Sequence, residues 1–342
     1  MREWHRRFLV SALLIAFFIV GWLYFASPWV SSAAHSVLGK DVAPIAEPTR
    51  HRDEPIRPLP APPALDIRVV ELGRQLFHDK RLSGDNTISC ASCHLLDKGG
   101  VDGLPRSLGV GGAVGGINAP SVLTAALNFR QFWDGRAGTL EEQAGGPVVN
   151  PLEMASSWPQ VVERLRADSE LKRVFEQIYP QGLTAENIRS AIADFERSLP
   201  QPSRFDRWLQ GDDKAITAAE LEGYRLFKRH GCVACHQGVN VGGNLYQRFG
   251  IMEDYFANKA EVTTADLGRY NVTHNDEDRH LFKVPSLRNV ALTAPYFHDA
   301  SSTTLEQAVS TMGRYQLGVA LPSKDVALIV AFLASLTAEG PR

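Results

Sequence analysis

Every cysteine of this chain lies in one of two copies of the pentapeptide Cys-x-x-Cys-His. The two copies read Cys90-Ala-Ser-Cys93-His94 and Cys232-Val-Ala-Cys235-His236. Two thiols three residues apart on one helical turn can add to the two vinyl groups of a haem, and the adjacent histidine then reaches the iron. A disulfide or a zinc site is the alternative, but neither requires a histidine directly after the second cysteine. The spacing therefore predicts two covalently bound haem c groups and redox chemistry.

The overall composition is that of a globular protein with room for two domains. The chain has 342 residues, of which 22 % are charged and 44 % are hydrophobic, and its formal net charge is −2. Because basic residues are not in excess, nucleic acid is not an expected partner.

The N-terminal segment differs from the rest of the chain. Arg2, Arg6 and Arg7 precede an apolar run at residues 8–26. A helix of this length spans roughly 29 Å, close to the thickness of a bilayer core. Positive residues before the run keep the N-terminus in the cytoplasm. We predict a cytoplasmic stub and transmembrane anchor at residues 1–26, which holds the body in the periplasm at the bacterial inner membrane. A cleaved signal peptide is the alternative.

Residues 27–64 are predicted to be a linker. Seven of the twenty prolines lie between residues 41 and 64. Such a segment favours a stiff, extended spacer that buries no core. A disordered tail without a spacing role is the alternative.

The remaining chain contains an internal repeat. A predicted amphipathic helix that ends in Leu-Phe precedes each haem motif, at residues 71–77 and 221–227. Residues 120–141 align without gaps with residues 285–306, with nine identities in twenty-two positions. Each copy ends in a capping box, which predicts that a helix starts at the same place in both.

The repeat indicates two haem domains that arose by duplication, at residues 65–204 and 205–342. Helical periodicity predicts further helices near residues 160–178, 185–199 and 324–336, whereas strand signals are scarce. We therefore expect a mainly α fold with two cytochrome c-like haem domains and long loops.

The ligand on the far side of each iron decides its chemistry. An iron with one protein ligand can bind peroxide, whereas an iron with two strong ligands mainly relays electrons. Met312 lies in the helix predicted to begin after Thr304 and is the candidate second ligand of the C-terminal haem. A role in core packing is the alternative for this methionine.

Over residues 65–342 the chain resembles the bacterial di-haem cytochrome c peroxidase family, which includes the protein-oxidising MauG enzymes. The motifs that carry the resemblance are Cys90–His94, Asn118–Ser121, Gln131–Arg136, Leu140–Gln143, Asn150–Met154, Cys232–His236, Val284–Asn289, Thr293–Asp299 and Met312.

The resemblance implies different roles for the two haems. His94 would be the proximal ligand of a peroxidatic N-terminal haem, and His236 with Met312 would hold a high-potential C-terminal haem. Glu153 would act as acid and base above the first haem. Such a carboxyl group needs a pKa raised by burial.

Further residues are assigned through the same resemblance. Gln143 and Phe132 would line the distal pocket of the first haem, and Trp133 would lie between the haems on the electron path. A calcium ion would be held by Asn118 and by the main-chain carbonyls of Thr293 and Pro295. A solvated carboxylate for Glu153 and a core role for Trp133 are the structural alternatives.

The chain departs from the family pattern at one loop. Many of these peroxidases carry a histidine in a Gly-His-Gly loop that caps the peroxidatic iron, and Val110 stands in that place here. This predicts an open first haem that is active without reductive priming, as on the MauG side of the family. MauG uses a tyrosine where this chain has Met312. Tyr315, one helical turn further on, therefore stays an alternative ligand.

Together these features predict a membrane-tethered periplasmic di-haem peroxidase that reduces hydrogen peroxide to water. A small cytochrome c, a cupredoxin or a quinol would each suit as electron donor, and a homodimer is usual for proteins of this resemblance. A MauG-like enzyme that oxidises a partner protein is one alternative. A non-catalytic di-haem electron-transfer cytochrome is the other.

Overall fold

The computed structural model describes residues 52–257 and 259–339, which are mainly helical. This part of the chain contains eleven α-helices: α1 Ile67–Phe77, α2 Cys90–Cys93, α3 Leu140–Val149, α4 Trp158–Arg166, α5 Ser169–Ile178, α6 Ala185–Arg197, α7 Arg204–Leu209, α8 Ala218–Arg229, α9 Tyr270–Thr273, α10 Leu305–Leu317 and α11 Ser323–Ser335. Strands β1 (Tyr246–Arg248) and β2 (Leu281–Lys283) pair antiparallel. The prediction of a mainly α fold is therefore confirmed.

The predicted anchor at residues 8–26 lies outside the described residues. Among the described helices, none is both long enough and apolar enough to cross a membrane.

The helices surround two separate hydrophobic cores. One core contains buried residues between Leu72 and Phe195, and the other contains buried residues between Phe205 and Leu336 together with Ile56. The first of these residues lie mainly on α1 and α4–α6, and the second mainly on α7, α8, α10 and α11. The domain boundary between residues 204 and 205 stays a prediction.

The internal repeat is visible in the backbone. The aligned Phe132 and Phe297 both have a left-handed backbone, with φ of 68° and 72°. This conformation is uncommon for a bulky side chain. The isolated bridge between Gln131 and Ala137 recurs, at the same offset, between Tyr296 and Ser302. The two copies therefore share a fold as well as a sequence.

Each half also contains the same close crossing of two helices. Helix α1 packs on α6, and α8 packs on α11. At the first crossing a Cβ on Gly73 would lie 1.9 Å from the carbonyl oxygen of Ala191, and at the second a Cβ on Gly223 would lie 1.9 Å from that of Leu328. Only glycine lets the backbones approach this closely.

The helix starts follow the capping signals of the sequence. The hydroxyl of Thr139 accepts the N–H of Glu142 at 3.1 Å, and that of Thr304 accepts the N–H of Gln307 at 3.2 Å. The aligned helices α3 and α10 therefore begin at the predicted place in both copies.

One helix prediction is wrong in part. The single helix expected near residues 160–178 is two helices, α4 and α5, separated by Ala167 and Asp168. The carboxylate of Asp168 accepts the N–H groups of Glu170 and Leu171, which starts a new helix instead of continuing the old one.

The described end of the predicted linker is packed onto the second half. Ile56 is fully buried in the second core and forms a parallel bridge with Gly238, two residues after His236. The Glu54 carboxylate accepts hydrogen bonds from the Tyr224 hydroxyl at 2.8 Å and the Lys228 ammonium at 2.7 Å. Residues 52–59, here called the strap, therefore do not behave as a spacer that buries no core.

A buried ion pair binds the main chain of the strap. Both carboxylate oxygens of Asp206 accept from the Arg288 guanidinium, at 2.8 and 2.9 Å. Burial opposes ionisation of Asp206, but the Arg288 hydrogen bonds and charge keep its pKa below the usual range. The same carboxylate accepts the main-chain N–H of Leu59 at 2.8 Å.

We expect Ile56→Ala to lower the free energy of unfolding by about 2–5 kcal/mol, because it leaves a cavity in a filled core. Denaturant unfolding of the haem-loaded protein measures this change. Ile67→Ala is the matched control, since Ile67 is 74 % exposed. Equal midpoints for the two variants would show that the strap contributes nothing to stability.

Candidate active site and haem-binding residues

The first Cys-x-x-Cys-His motif presents a half-buried histidine that favours the neutral form. The motif begins on the short helix α2, and His94 Nδ1 lies 3.1 Å from the carbonyl oxygen of Gly100. Because a carbonyl only accepts, Nδ1 carries the proton and Nε2 keeps its lone pair for a metal. Burial lowers the pKa of His94, which favours the neutral ring that ligates iron.

The thiols of this motif are free and protonated. Burial raises the pKa of Cys90 to about 12 and also raises that of Cys93. The hydroxyl of Ser107 lies beside Cys93, where it weakly favours the thiolate, yet it has no partner in hydrogen-bonding geometry among the described residues. Two unpaired thiols next to an orphaned buried hydroxyl suit a group that occupies this place.

The second motif opens into a large cavity. Burial lowers the pKa of His236 to about 4, although the carbonyls of Val241 and Pro285 act in the opposite direction. Its buried Nδ1 has no partner in hydrogen-bonding geometry among the described residues. The adjoining cavity has a volume of about 480 Å³ and is lined by Cys232, Cys235 and His236. An apolar cavity beside two thiols and a neutral imidazole fits a covalently attached haem.

Met312 lines the same cavity, on α10. The ring of Tyr315 packs edge-on against Tyr255 at 5.1 Å between centroids. Of the two candidate ligands, Met312 is therefore the one whose place faces the cavity, and its ligand role stays a prediction.

Glu153 lies beside the first motif and carries a raised pKa. Burial raises the pKa, whereas a hydrogen bond from Asn150 Nδ2 at 2.6 Å and the charge of Arg136 act against the shift. Its negative charge acts on the thiols of both Cys90 and Cys93, which places the carboxyl group at this motif. The group can therefore hold a proton and release it, as the acid–base role requires.

The loop with Val110 is docked directly on the backbone of Glu153. The N–H of Val110 donates to the carbonyl of Glu153 at 2.8 Å. A Cβ on Gly109 would lie 2.2 Å from the carbonyl oxygen of Leu152. The loop backbone is thus fixed beside Glu153, and Val110 carries no atom that could ligate a metal.

Phe132 and Gln143 are brought to one side of α3. The tip of the Phe132 ring would lie 3.2 Å from a Cβ placed on Gly146. Gly146 follows Gln143 by three residues on α3, so the two residues lie on the same face of the helix. The guanidinium of Arg136 covers the ring at 3.4 Å from its centroid, which fixes its orientation. Their role in a distal pocket stays a prediction.

Trp133 connects the two halves. Its Nε1 donates to the carbonyl of Asn118 at 2.9 Å, and its own carbonyl accepts the N–H of Lys283 at 2.8 Å. It also lines the cavity of the second motif. This place suits the predicted path between two haems, and the electron role stays a prediction.

The predicted calcium ligands lie on one surface. Asn118, Thr293 and Pro295 all line the cavity of the second motif. The amide nitrogen of Asn118 donates to the carbonyl of Leu104 at 3.0 Å, so its side-chain oxygen is the atom left for a hard cation. Calcium binding stays a prediction.

A buried charged network near Trp133 was not predicted as a unit from the sequence. His298 Nε2 lies 2.7 Å from Asp266, and the Lys259 ammonium lies 2.5 Å from Asp266 and 2.8 Å from Asp299. The three acidic and imidazole groups are close enough to hold a metal ion. The Lys259 ammonium already supplies the cation, so the cluster is a closed ion-pair network. The network joins two segments that are about thirty residues apart in sequence, and no spacing pattern links them.

Glu196 was also missed, although a sequence signal existed. It follows Ile188 and Ile192 at helical spacing on the core face of α6 and is 4 % exposed. Burial raises its pKa to about 8, and its charge acts on Cys90. The first site is therefore lined by a carboxyl group that is neutral over much of the physiological range.

We expect Glu196 to make the free energy of unfolding depend on pH. Its folded pKa of about 8 exceeds the ordinary value of 4.5. The contribution of Glu196 to the free energy of unfolding is therefore complete below about pH 4.5 and is lost as pH rises to about 8. Glu196→Gln removes this dependence and should gain on the order of 3–5 kcal/mol relative to wild type between those limits. Urea unfolding at about pH 5 and about pH 8.5 measures the change, with the exposed Glu163→Gln as control. A constant difference between Glu196→Gln and wild type would contradict it.

The sequence profile described as di-haem cytochrome c peroxidase matches residues 68–214. The chain is 51 % identical to cytochrome c peroxidase Ccp of Escherichia coli, over 90 % of this chain and 65 % of that protein, so it spans slightly less than two thirds of that relative. It is 47 % identical to cytochrome c551 peroxidase of Nitrosomonas europaea, over 84 % and 86 % of the two chains. It is 33 % identical to methylamine utilization protein MauG of Methylorubrum extorquens, over 82 % of each.

Solved structures show the same architecture. A MauG-like protein associated with microbial copper homeostasis matches with a TM-score of 0.71 and 30 % identity, over 84 % of this chain and 94 % of that one. The diheme peroxidase BthA from Burkholderia thailandensis matches with a TM-score of 0.66 over 80 % and 87 % of the chains. At 22 % identity, this match shows the fold alone.

Proposed function

Because the chain belongs to the di-haem cytochrome c peroxidase family, we propose that it reduces hydrogen peroxide to water in the periplasm with electrons from an external donor. The observation that carries the proposal is Glu153, a half-buried carboxyl group with a raised pKa beside the first motif. The apolar Val110 on the adjoining loop supports an open site there.

Each half contributes the residues that hold one haem c. Cys90 and Cys93 would form the thioether bonds of the first, with His94 as its proximal ligand. Cys232 and Cys235 would attach the second, with His236 and Met312 as ligands. When bound, the first haem supplies peroxide activation and the second supplies electron storage.

Glu153 moves the proton within peroxide. Reduction of one peroxide consumes two electrons and two protons and yields two waters. Glu153 takes a proton from one oxygen of the peroxide and passes it to the other oxygen, which departs as water when the O–O bond breaks. Asn150 holds the carboxyl group in one orientation through its 2.6 Å hydrogen bond. Gln143 and Phe132 position the peroxide without adding charge.

Electrons enter through the second half and pass Trp133. Its indole N–H is fixed on the Asn118 carbonyl, which keeps the ring in one place between the halves. A small cytochrome c, a cupredoxin or a quinol would each serve as donor.

The proposal also covers the location of the protein and its assembly. Residues 1–26 would anchor the protein to the inner membrane, with residues 65–204 and 205–342 as haem domains in the periplasm. Calcium at Asn118, Thr293 and Pro295 and a homodimer would complete the assembly.

A MauG-like oxidation of a partner protein is the second candidate. It is favoured by Val110, since an iron without a capping histidine needs no reductive priming. Consumption of reduced cytochrome c in proportion to peroxide loss would favour the peroxidase over this candidate and over a non-catalytic electron carrier.

Glu153→Gln should lower the turnover of peroxide by about 10²–10⁴-fold, because the amide cannot carry the proton. Steady-state oxidation of reduced cytochrome c measures the rate, and the optical spectra of both haems should stay unchanged. Glu163→Gln, at an exposed position on α4, is the matched control. A rate for Glu153→Gln within about threefold of the control would refute the acid–base role.

The oxidised holoprotein should show one high-spin and one low-spin haem by electron paramagnetic resonance. Val110→His should convert the high-spin signal to low-spin, because the new imidazole can ligate the first iron. Val114→His, at a position on the same loop that is 59 % exposed, should leave the signal unchanged. Two low-spin haems in the wild type would rule out the open site.

A further inference from the structure

Lys283 is a buried cation without a partner. It ends β2 and is only 6 % exposed. Within residues 52–257 and 259–339, its ammonium contacts no carboxylate and no hydrogen-bond acceptor, and burial alone lowers its pKa to about 8. Lysine is almost never fully buried unless it is paired, because the charge loses its hydration. A buried, unpaired ammonium therefore indicates that an anion belongs nearby.

The charges of the residues around the cavity also indicate that an anion belongs there. The described lining residues of the 480 Å³ cavity include Lys283, Arg248 and Arg288 but no aspartate or glutamate. Arg288 is neutralised by Asp206, and Arg248 donates to main-chain carbonyls. The carbonyls satisfy the hydrogen bonds of Arg248 without cancelling its charge. Among the described lining cations, Lys283 is thus the one whose charged group has neither a carboxylate nor a hydrogen-bond acceptor.

Lys283 stands between the two halves. Its N–H donates to the Trp133 carbonyl at 2.8 Å, and it pairs with Tyr246 across the two-stranded sheet. Directly opposed residues share a face of the sheet, and the Tyr246 hydroxyl donates to the carbonyl of Gly135 in the first half at 3.3 Å. The neighbouring Gln247 reaches the other way, toward Cys235 Sγ at 3.8 Å. Lys283 therefore shares a face of the sheet with Tyr246, which contacts the first half, and it also lines the cavity of the second motif.

We propose that Lys283 is a positioning residue that forms an ion pair with a propionate carboxylate of one of the two haems. The inference rests on the proposed function, since it needs a bound haem. Propionates are the anionic groups that haem c brings into an otherwise cationic cavity. The pair would fix that haem against the strand that also carries the contact to Trp133, and it would favour reduction of that haem, because a nearby positive charge stabilises the added electron.

Potentiometric titration of the haem-loaded protein tests the proposal, with each haem followed by its own optical and paramagnetic signal. Lys283→Met removes the charge and keeps much of the volume. A unit charge at about 10 Å in an effective dielectric of about 20 changes an equilibrium by more than tenfold. We therefore expect one haem to become at least about tenfold harder to reduce, which is about 59 mV for a one-electron couple.

Three comparisons make the result specific. Lys283→Arg keeps the charge and should keep the potential near that of the wild type. Lys283→Gln serves as a second neutral variant if the Met variant does not fold. Lys214→Met, at an exposed position, should shift neither haem, because solvent screens its charge.

The outcomes identify which haem supplies the propionate. They also distinguish a failure of the ion pair from a failure of the proposed function. A shift confined to the high-spin haem assigns the propionate to the first haem, and a shift confined to the low-spin haem assigns it to the second. Unchanged potentials in both neutral variants, with two haems per chain by pyridine haemochrome assay, would overturn the inference while leaving the peroxidase intact. A wild-type chain without two haems would overturn the proposed function itself.

Discussion

The structure depends on one constraint. In each half, a neutral histidine ring must lie shielded from water directly after a pair of free thiols. Burial lowers the pKa of both His94 and His236, so each ring keeps a lone pair for a metal. Burial also raises the pKa of the thiols of Cys90, Cys93 and Cys232. The surrounding chain must therefore be dense enough to exclude water and yet leave room for a large planar group. Two hydrophobic cores with long loops between their helices satisfy both demands.

Duplication supplies this arrangement twice, and small differences then separate the two halves. Both halves keep the glycine at the helix crossing, at Gly73 and Gly223, and the left-handed phenylalanine after it in sequence. The first half directs a carboxyl group to its motif through a loop docked on the Glu153 backbone. The second half places Met312 on the cavity wall instead. One scaffold thus carries a carboxyl group at one motif and a thioether at the other.

Buried charges lie at several places where the two halves meet or where the strap packs. Asp206 with Arg288 is a closed pair whose charges cancel, and Lys259 is shared by the carboxylates of Asp266 and Asp299. Such pairs cost desolvation, and that cost is recovered only when the hydrogen bonds are complete. The first of them lies under the strap, where it fixes the chain entry beside the second motif. A buried group without such a partner, by contrast, is poised to interact with a ligand.

The sequence by itself determined the elements and their chemistry. The motif spacing, the capping threonines and the repeat predicted the haem-motif residues, the starts of α3 and α10 and the mainly α class, because these signals are local. The other site residues were assigned through the family resemblance and stay predictions. The tertiary structure decided what distant residues do to one another. It split the helix expected at residues 160–178, attached the strap through Ile56, and left Lys283 unpaired in a cavity. Burial and pairing are properties of the whole packing, and the free energy of a charge depends on every group that surrounds it, so no spacing along the chain could reveal them.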